Sequence, residues 1–283
     1  MKILKHITIL FLAIFFTSCS SDDDTIVPNP VEETAGLTKI QEITNDTHVI
    51  ELFSESGFLT QGYNHITLRI KEKSTNNYIT NATIDWIPLM HMTMMEHSCP
   101  KSSVEKIAGK QTLYGGEIIF QMAQNSTEFW ELTLNYSING NTFTAKKIID
   151  VPASEKRTVS TFNGTDGVRY VIAYISPKNP KVALNGIKVG VYKMQDMMNF
   201  PAVDNYKIKI DPRMPSMGNH GSPNNTDLEQ TASGSFYQGK LSLTMTGYWK
   251  INLQVLNASG EVLKGEAVTS ENSASSLFFE IEF

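Results

Sequence analysis

Beyond residue 36 the chain alternates apolar and polar side chains over short runs, and this period of two constrains its fold more than any other feature. His65-Ile-Thr-Leu-Arg-Ile70, Lys188-Val-Gly-Val-Tyr192 and Tyr206-Lys-Ile-Lys-Ile210 each put an aliphatic or aromatic side chain at every second position. Successive side chains of an extended strand point to opposite faces, so such runs bury one face and wet the other. Asn, Gly, Ser and Asp clusters separate them, with hairpin residues such as Asn139-Gly140 and Gly260 between strand-like segments. No long segment carries apolar residues at helical spacing. The pattern predicts an all-β protein.

The chain also repeats itself. Met94, His97, Pro100, Tyr114, Gly116, Ile118, Phe120 and Met122 correspond, at a constant shift of 123, to Met217, His220, Pro223, Tyr237, Gly239, Leu241, Leu243 and Met245. Four extra loop residues follow Met122, after which Trp130, Leu132 and Leu134 match Trp249, Ile251 and Leu253 at a shift of 119. Strand phase, tryptophan position and a polar motif agree in order, which predicts two β domains of like topology over 37–152 and 153–283. Each tryptophan heads a strand whose alternate residues are apolar. That places it as a core anchor between two sheets in preference to an exposed stacking platform.

The first 18 residues read as an address. Lys2 and Lys5 precede a ten-residue apolar run, Ile7–Phe16, which is too short to span a bilayer as a permanent helix. The run ends in Phe16-Thr-Ser-Cys19, which resembles the lipobox of bacterial lipoproteins, where the cysteine is lipidated and becomes the first residue. An ordinary signal peptide is the alternative. Ser20-Ser-Asp-Asp-Asp24 resembles the export signal of Bacteroidetes surface lipoproteins, and reads otherwise as a solvated part of a tether over 19–36. The resemblance implies a cell-envelope protein held to the outer membrane through Cys19 and exported to the cell surface. Of the two cysteines, Cys99 alone then keeps a free thiol, and burial as an inert side chain is its expected role.

Methionine carries the chemical hint. Of twelve methionines one is the initiator, and nine of the others fall within Met90–Met95, Met194–Met198 and Met214–Met217. The first and last groups stand beside histidines: Pro88-Leu-Met90-His91-Met92-Thr-Met94-Met95-Glu96-His97, and Pro212-Arg-Met214-Pro-Ser-Met217-Gly-Asn-His220. Thioether sulfur and imidazole nitrogen suit a soft cation, above all Cu(I), and a thioether stays usable where thiols oxidise. The expected ligands are Met90, His91, Met92, Met94 and His97 in the first copy, and Met214, Met217 and His220 in the second. In an extended segment Met90, Met92 and Met94 share one face, with His91, Met95 and His97 on the other. Two bland readings stand beside this: methionines as core fillers, or as an exposed patch that grips an apolar partner. Glu96 is a candidate support for a histidine, while His48 and His65 read as structural.

The second copy, with Pro212-x-Met214-Pro-x-Met217-x-x-His220, Gly234-Ser-Phe-Tyr237 and Met245-x-Gly247-x-Trp249-x-Ile251-x-Leu253, resembles the YtkA-like domain. That family is similar to FixH- and CopC-type extracytoplasmic modules. The resemblance implies two tandem immunoglobulin-like β-sandwiches, a link to copper handling, and an envelope copper-handling protein as partner. The first copy matches less well because of its longer methionine segment and its loop insertion.

Other functions find little support in the residues. A formal charge of −5, with no basic stripe, gives no electrostatic footprint for nucleic acid. There is no glycine-rich phosphate loop, nucleophile elbow or paired-carboxylate motif, so no enzymatic activity is expected. A copper-binding lipoprotein is the first expectation, and an interaction lipoprotein without metal is the second.

Overall fold

The computed structural model describes residues 33–283. The expected signal peptide, Cys19 and most of the tether lie outside the described residues. The tether ends earlier than expected, because Glu33 is already fastened to the domain. Its carboxylate accepts from the backbone N–H of Gln111 at 2.6 Å and of Thr112 at 3.0 Å, and from the Thr112 hydroxyl.

The first nine strands are β1 (Thr38–Thr44), β2 (His48–Ser54), β3 (Gly62–Glu72), β4 (Thr83–His91), β5 (Glu96–His97), β6 (Glu105–Lys106), β7 (Tyr114–Phe120), β8 (Phe129–Ile138) and β9 (Asn141–Ile149). They form two sheets, ordered β1-β2-β3-β7-β6 and β5-β4-β8-β9. With β1 as an added edge strand, this is the strand order of an immunoglobulin-like sandwich: the A-B-E-D sheet, and the C-F-G sheet with one further edge strand. The strands alternate as the sequence requires. Trp130, Leu132, Leu134 and Tyr136 of β8 stand beside Trp86 and Met90 of β4 on one inner face, and pack with the inner residues of β2, β3 and β7 in one continuous core.

The next strands are β10 (Val159–Asn163), β11 (Arg169–Ser176), β12 (Leu184–Lys193), β13 (Lys207–Met214), β14 (His220–Gly221), β15 (Thr226–Glu229), β16 (Tyr237–Ser242), β17 (Tyr248–Leu256), β18 (Val262–Lys264) and β19 (Phe278–Glu282). They run β10-β11-β12-β16-β15 on one side, and β14-β13-β17 with β18 and β19 on the other; β15 also touches β13 at a single pair. Each of the first nine strands thus has its counterpart nine strands later. Two all-β immunoglobulin-like sandwiches stand in tandem, the second with its last strand split around residues 265–277.

The repeated residues are the ones this architecture needs. Trp130 and Trp249 are both completely buried. Each indole N–H donates to the carbonyl of a matched methionine, Met122 at 3.1 Å and Met245 at 3.0 Å. Tyr114 and Tyr237 each accept a backbone N–H at the hydroxyl, from Ala82 at 2.9 Å and Tyr206 at 3.2 Å. Gly116 and Gly239 mark close approaches. A Cβ at Gly116 would lie 2.6 Å from the Trp86 ring, and one at Gly239 would lie 2.7 Å from the Thr226 carbonyl oxygen.

A third apolar cluster joins the sandwiches. Ile119 of β7 points away from its own core and meets Val159, Val171, Ala173, Ile175 and Phe200, with Tyr63 at the margin. Val171, Ala173 and Ile175 lie on the opposite face of β11 from Ile172 and Tyr174, which fill the second core. Period-two alternation with both faces apolar therefore seats one sandwich against the other. An ion pair, Lys178 to Glu55 at 2.7 Å, lies across the same seam.

Candidate metal centre

The first methionine segment does not run on as one strand. β4 ends at His91, the Met92 N–H donates to the Met95 carbonyl at 3.0 Å, and the chain returns as β5. Met90 then pairs directly with His97, and His91 with Glu96. Directly opposed residues of an antiparallel pair share a face, so Met90 and His97 both face the core side. The expected common face for Met90, Met92 and Met94 is lost at the turn. Met90 is fully buried, Met92 packs against the rim of the core, and Met94 is 89% exposed. His91 faces the other way. It stacks on Phe129 at 4.8 Å and pairs through Nδ1 with Glu96 at 2.7 Å, so Glu96 supports His91 and not His97.

His91 Nε2 is buried with no hydrogen-bond partner among the described residues, whereas His97, only 8% exposed, has a neighbour at each ring nitrogen. Its Nδ1 lies 2.7 Å from the Ser98 carbonyl oxygen. A carbonyl can only accept, so this shorter contact favours the hydrogen on Nδ1 and a lone pair on Nε2 in the neutral ring. The longer approach of the Gln121 amide nitrogen to Nδ1, at 3.2 Å, favours the reverse. Nε2 itself lies 3.2 Å from the Met122 sulfur. A donated Nδ1–H to a backbone carbonyl is also the arrangement that orients a metal-binding imidazole. The Gln121 amide adds a second donor to the Ser98 carbonyl at 3.0 Å, and its own Oε1 is buried without a hydrogen-bond partner among the described residues. Trp130 closes the inner side, its ring edge-on to His97 at 5.7 Å.

Met122 is the site residue that the composition pattern passes over. Apart from the initiator it is one of only two methionines outside the clusters, and the other is its counterpart Met245. Its place in the repeat, eight residues before a buried tryptophan, was the available signal.

In the second sandwich the expected ligands are spread apart. Met214 pairs with His220 as Met90 does with His97, and Met214 is buried in the core. Met217 stands at the end of a short 3-10 turn, Pro215–Met217, and is 57% exposed, while His220 is exposed as well. The cross-strand Met–His pair is thus common to both sandwiches, and the first adds the close approach of Met122 to its histidine. Among the described residues no three His, Cys, Asp or Glu side chains gather into a metal cluster, so a cation here would depend on thioether sulfur. Cys99 is buried, and burial pushes its thiol well above the ordinary range, so it offers no thiolate.

No family model and no curated protein matches the chain. Among solved structures it is similar to FdeC, an Escherichia coli adhesin, at 12% identity over 81% of each chain with a TM-score of 0.24. Titin A168169 matches at 9% identity over 69% of this chain and 85% of that one, with a TM-score of 0.19. A chimeric titin tandem matches at 10% over 79% and 93%, with a TM-score of 0.17. These superpositions are loose, and the fold assignment rests on strand order and connectivity.

Proposed function

We propose that the chain is a lipid-anchored envelope protein that binds Cu(I) in its first sandwich and sequesters it or hands it to an envelope copper-handling partner. The reading is carried by one observation: the His97 Nε2 lies 3.2 Å from the Met122 sulfur, on the ring edge opposite the Ser98 carbonyl that draws the imidazole hydrogen to Nδ1. Nitrogen and sulfur so placed can share a cation, and nitrogen with neutral sulfur favours a soft one over Mg²⁺ or Ca²⁺, which take oxygen ligands. The YtkA-like resemblance of the second copy is in keeping with this. The anchor rests on Phe16-Thr-Ser-Cys19; Cys19→Ala should release the protein from the membrane fraction.

Anaerobic titration of Cu(I) against a chromophoric chelator tests the reading. One ion should bind per chain, a large excess of calcium should not displace it, and His97→Ala should abolish it. Exposure of Met94 and Met95 favours a second reading, a methionine patch that contacts a protein partner without metal. Absence of Cu(I) binding at micromolar protein would leave that reading in place.

A further inference from the structure

We infer that the cation held at His97 and Met122 also bridges the two sandwiches, by taking a thioether from Met197 or Met198 of the second. This rests on the copper reading above and adds the domain seam to it. The third methionine group, Met194-Gln-Asp-Met197-Met198, belongs to the second sandwich by sequence, yet its loop is fastened to the first at the site itself. The N–H of Ser98, the residue after His97, donates to the Met197 carbonyl at 2.8 Å.

Both ends of that bond are fixed. Ser98 is buried, and its hydroxyl donates to the Pro88 carbonyl at 2.7 Å. The loop is closed on itself by Asp196, whose Oδ1 accepts the N–H of Met198 at 2.7 Å and of Asn199 at 2.9 Å. Gln195 N–H donates to the Asn199 carbonyl at 3.0 Å, and the seam beneath has its own apolar core. Met197 and Met198 thus start from a backbone pinned beside the site, while their side chains are about half exposed. A half-exposed methionine has three rotatable bonds and little packing to lose, so its sulfur can turn to a cation without disturbing the fold. Met90, by contrast, is committed to the core. The chain clusters methionines in two sandwiches, and the fold brings two of the three clusters to one place.

The test is Cu(I) affinity and copper X-ray absorption on the full mature chain, for wild type, Met197→Leu, Met198→Leu and the double variant. Leucine keeps the volume and removes the sulfur. The double variant should bind Cu(I) at least tenfold more weakly and lose one sulfur from the copper shell, with near-UV circular dichroism unchanged; the single variants identify which sulfur is used. Wild-type affinity and sulfur count in the double variant, in a protein whose binding is still abolished by His97→Ala, would overturn the bridge and leave the copper reading intact. A wild-type chain that takes up no Cu(I) would overturn both.

Discussion

The carbonyl of Met122 accepts the indole hydrogen of Trp130 at 3.1 Å, and this bond fixes the backbone from which the Met122 sulfur reaches out. Trp130 is fully buried and cannot shift without opening the core, so the backbone at Met122 is held against it. From that fixed point the thioether faces His97. The second sandwich keeps the same bond between Trp249 and Met245, at 3.0 Å, but its histidine is exposed. The two copies differ at the imidazole, and the scaffold beneath is shared.

Met122→Leu should therefore separate chemistry from stability. It removes the sulfur, keeps the carbonyl and nearly the volume, and should cost less than about 1.5 kcal/mol of stability. Cu(I) binding should fall to background in a chelator competition assay. Met245→Leu makes the same change in the second sandwich and should leave Cu(I) binding at the wild-type level.

The acid limb of stability should depend on Glu51. Burial acts to raise its pKa, but hydrogen bonds and ion pairs with Lys39 and Arg69, each at 2.6 Å, outweigh burial and hold the carboxylate below its ordinary range. A carboxylate whose pKa is lowered on folding contributes stability that is present above its unfolded pKa of about 4.3 and is lost as pH falls through the folded value. Denaturation by urea should show stability falling below about pH 4.3 in wild type. Glu51→Gln should flatten part of that slope and cost on the order of 3–5 kcal/mol at neutral pH, because it breaks a buried ion pair from one side.

The strand pattern was legible because alternation is a local property. Trp130, Leu132 and Leu134 show their inward phase without knowledge of a partner strand, and the shift of 123 announces a second sandwich. Ligand convergence is not local. Met90, Met92 and Met94 share a face only if the strand continues, and the Met92–Met95 turn ends it, which sends Met94 into solvent. Met122 lies 25 residues from His97 in sequence and meets it only because β5 and the end of β7 lie at the same end of the sandwich. The seam was equally hidden, since Ile119 reads as an ordinary strand residue until Val171 and Ala173 are seen opposite it.

Cys99 should be silent in the folded protein. Burial disfavours its thiolate, which is the reactive form, so a soluble chain that begins after Cys19 should not react with an aromatic disulfide reagent at pH 8. Unfolding in guanidinium should release one thiol per chain. Rapid labelling under native conditions would place Cys99 at the surface.

The central claim is that His97 and Met122 form the cation site, and imidazole nitrogen NMR reads it directly. In the metal-free chain a long-range ¹⁵N–¹H spectrum should show neutral His97 with its hydrogen on Nδ1. One equivalent of Cu(I) should shift the His97 Nε2 resonance and the Met122 methyl, and leave those of His220 and Met217 where they are. Neutral His97 with its hydrogen on Nε2, or Cu(I) that moves His220 and Met217 while His97 and Met122 stay unchanged, would contradict the account.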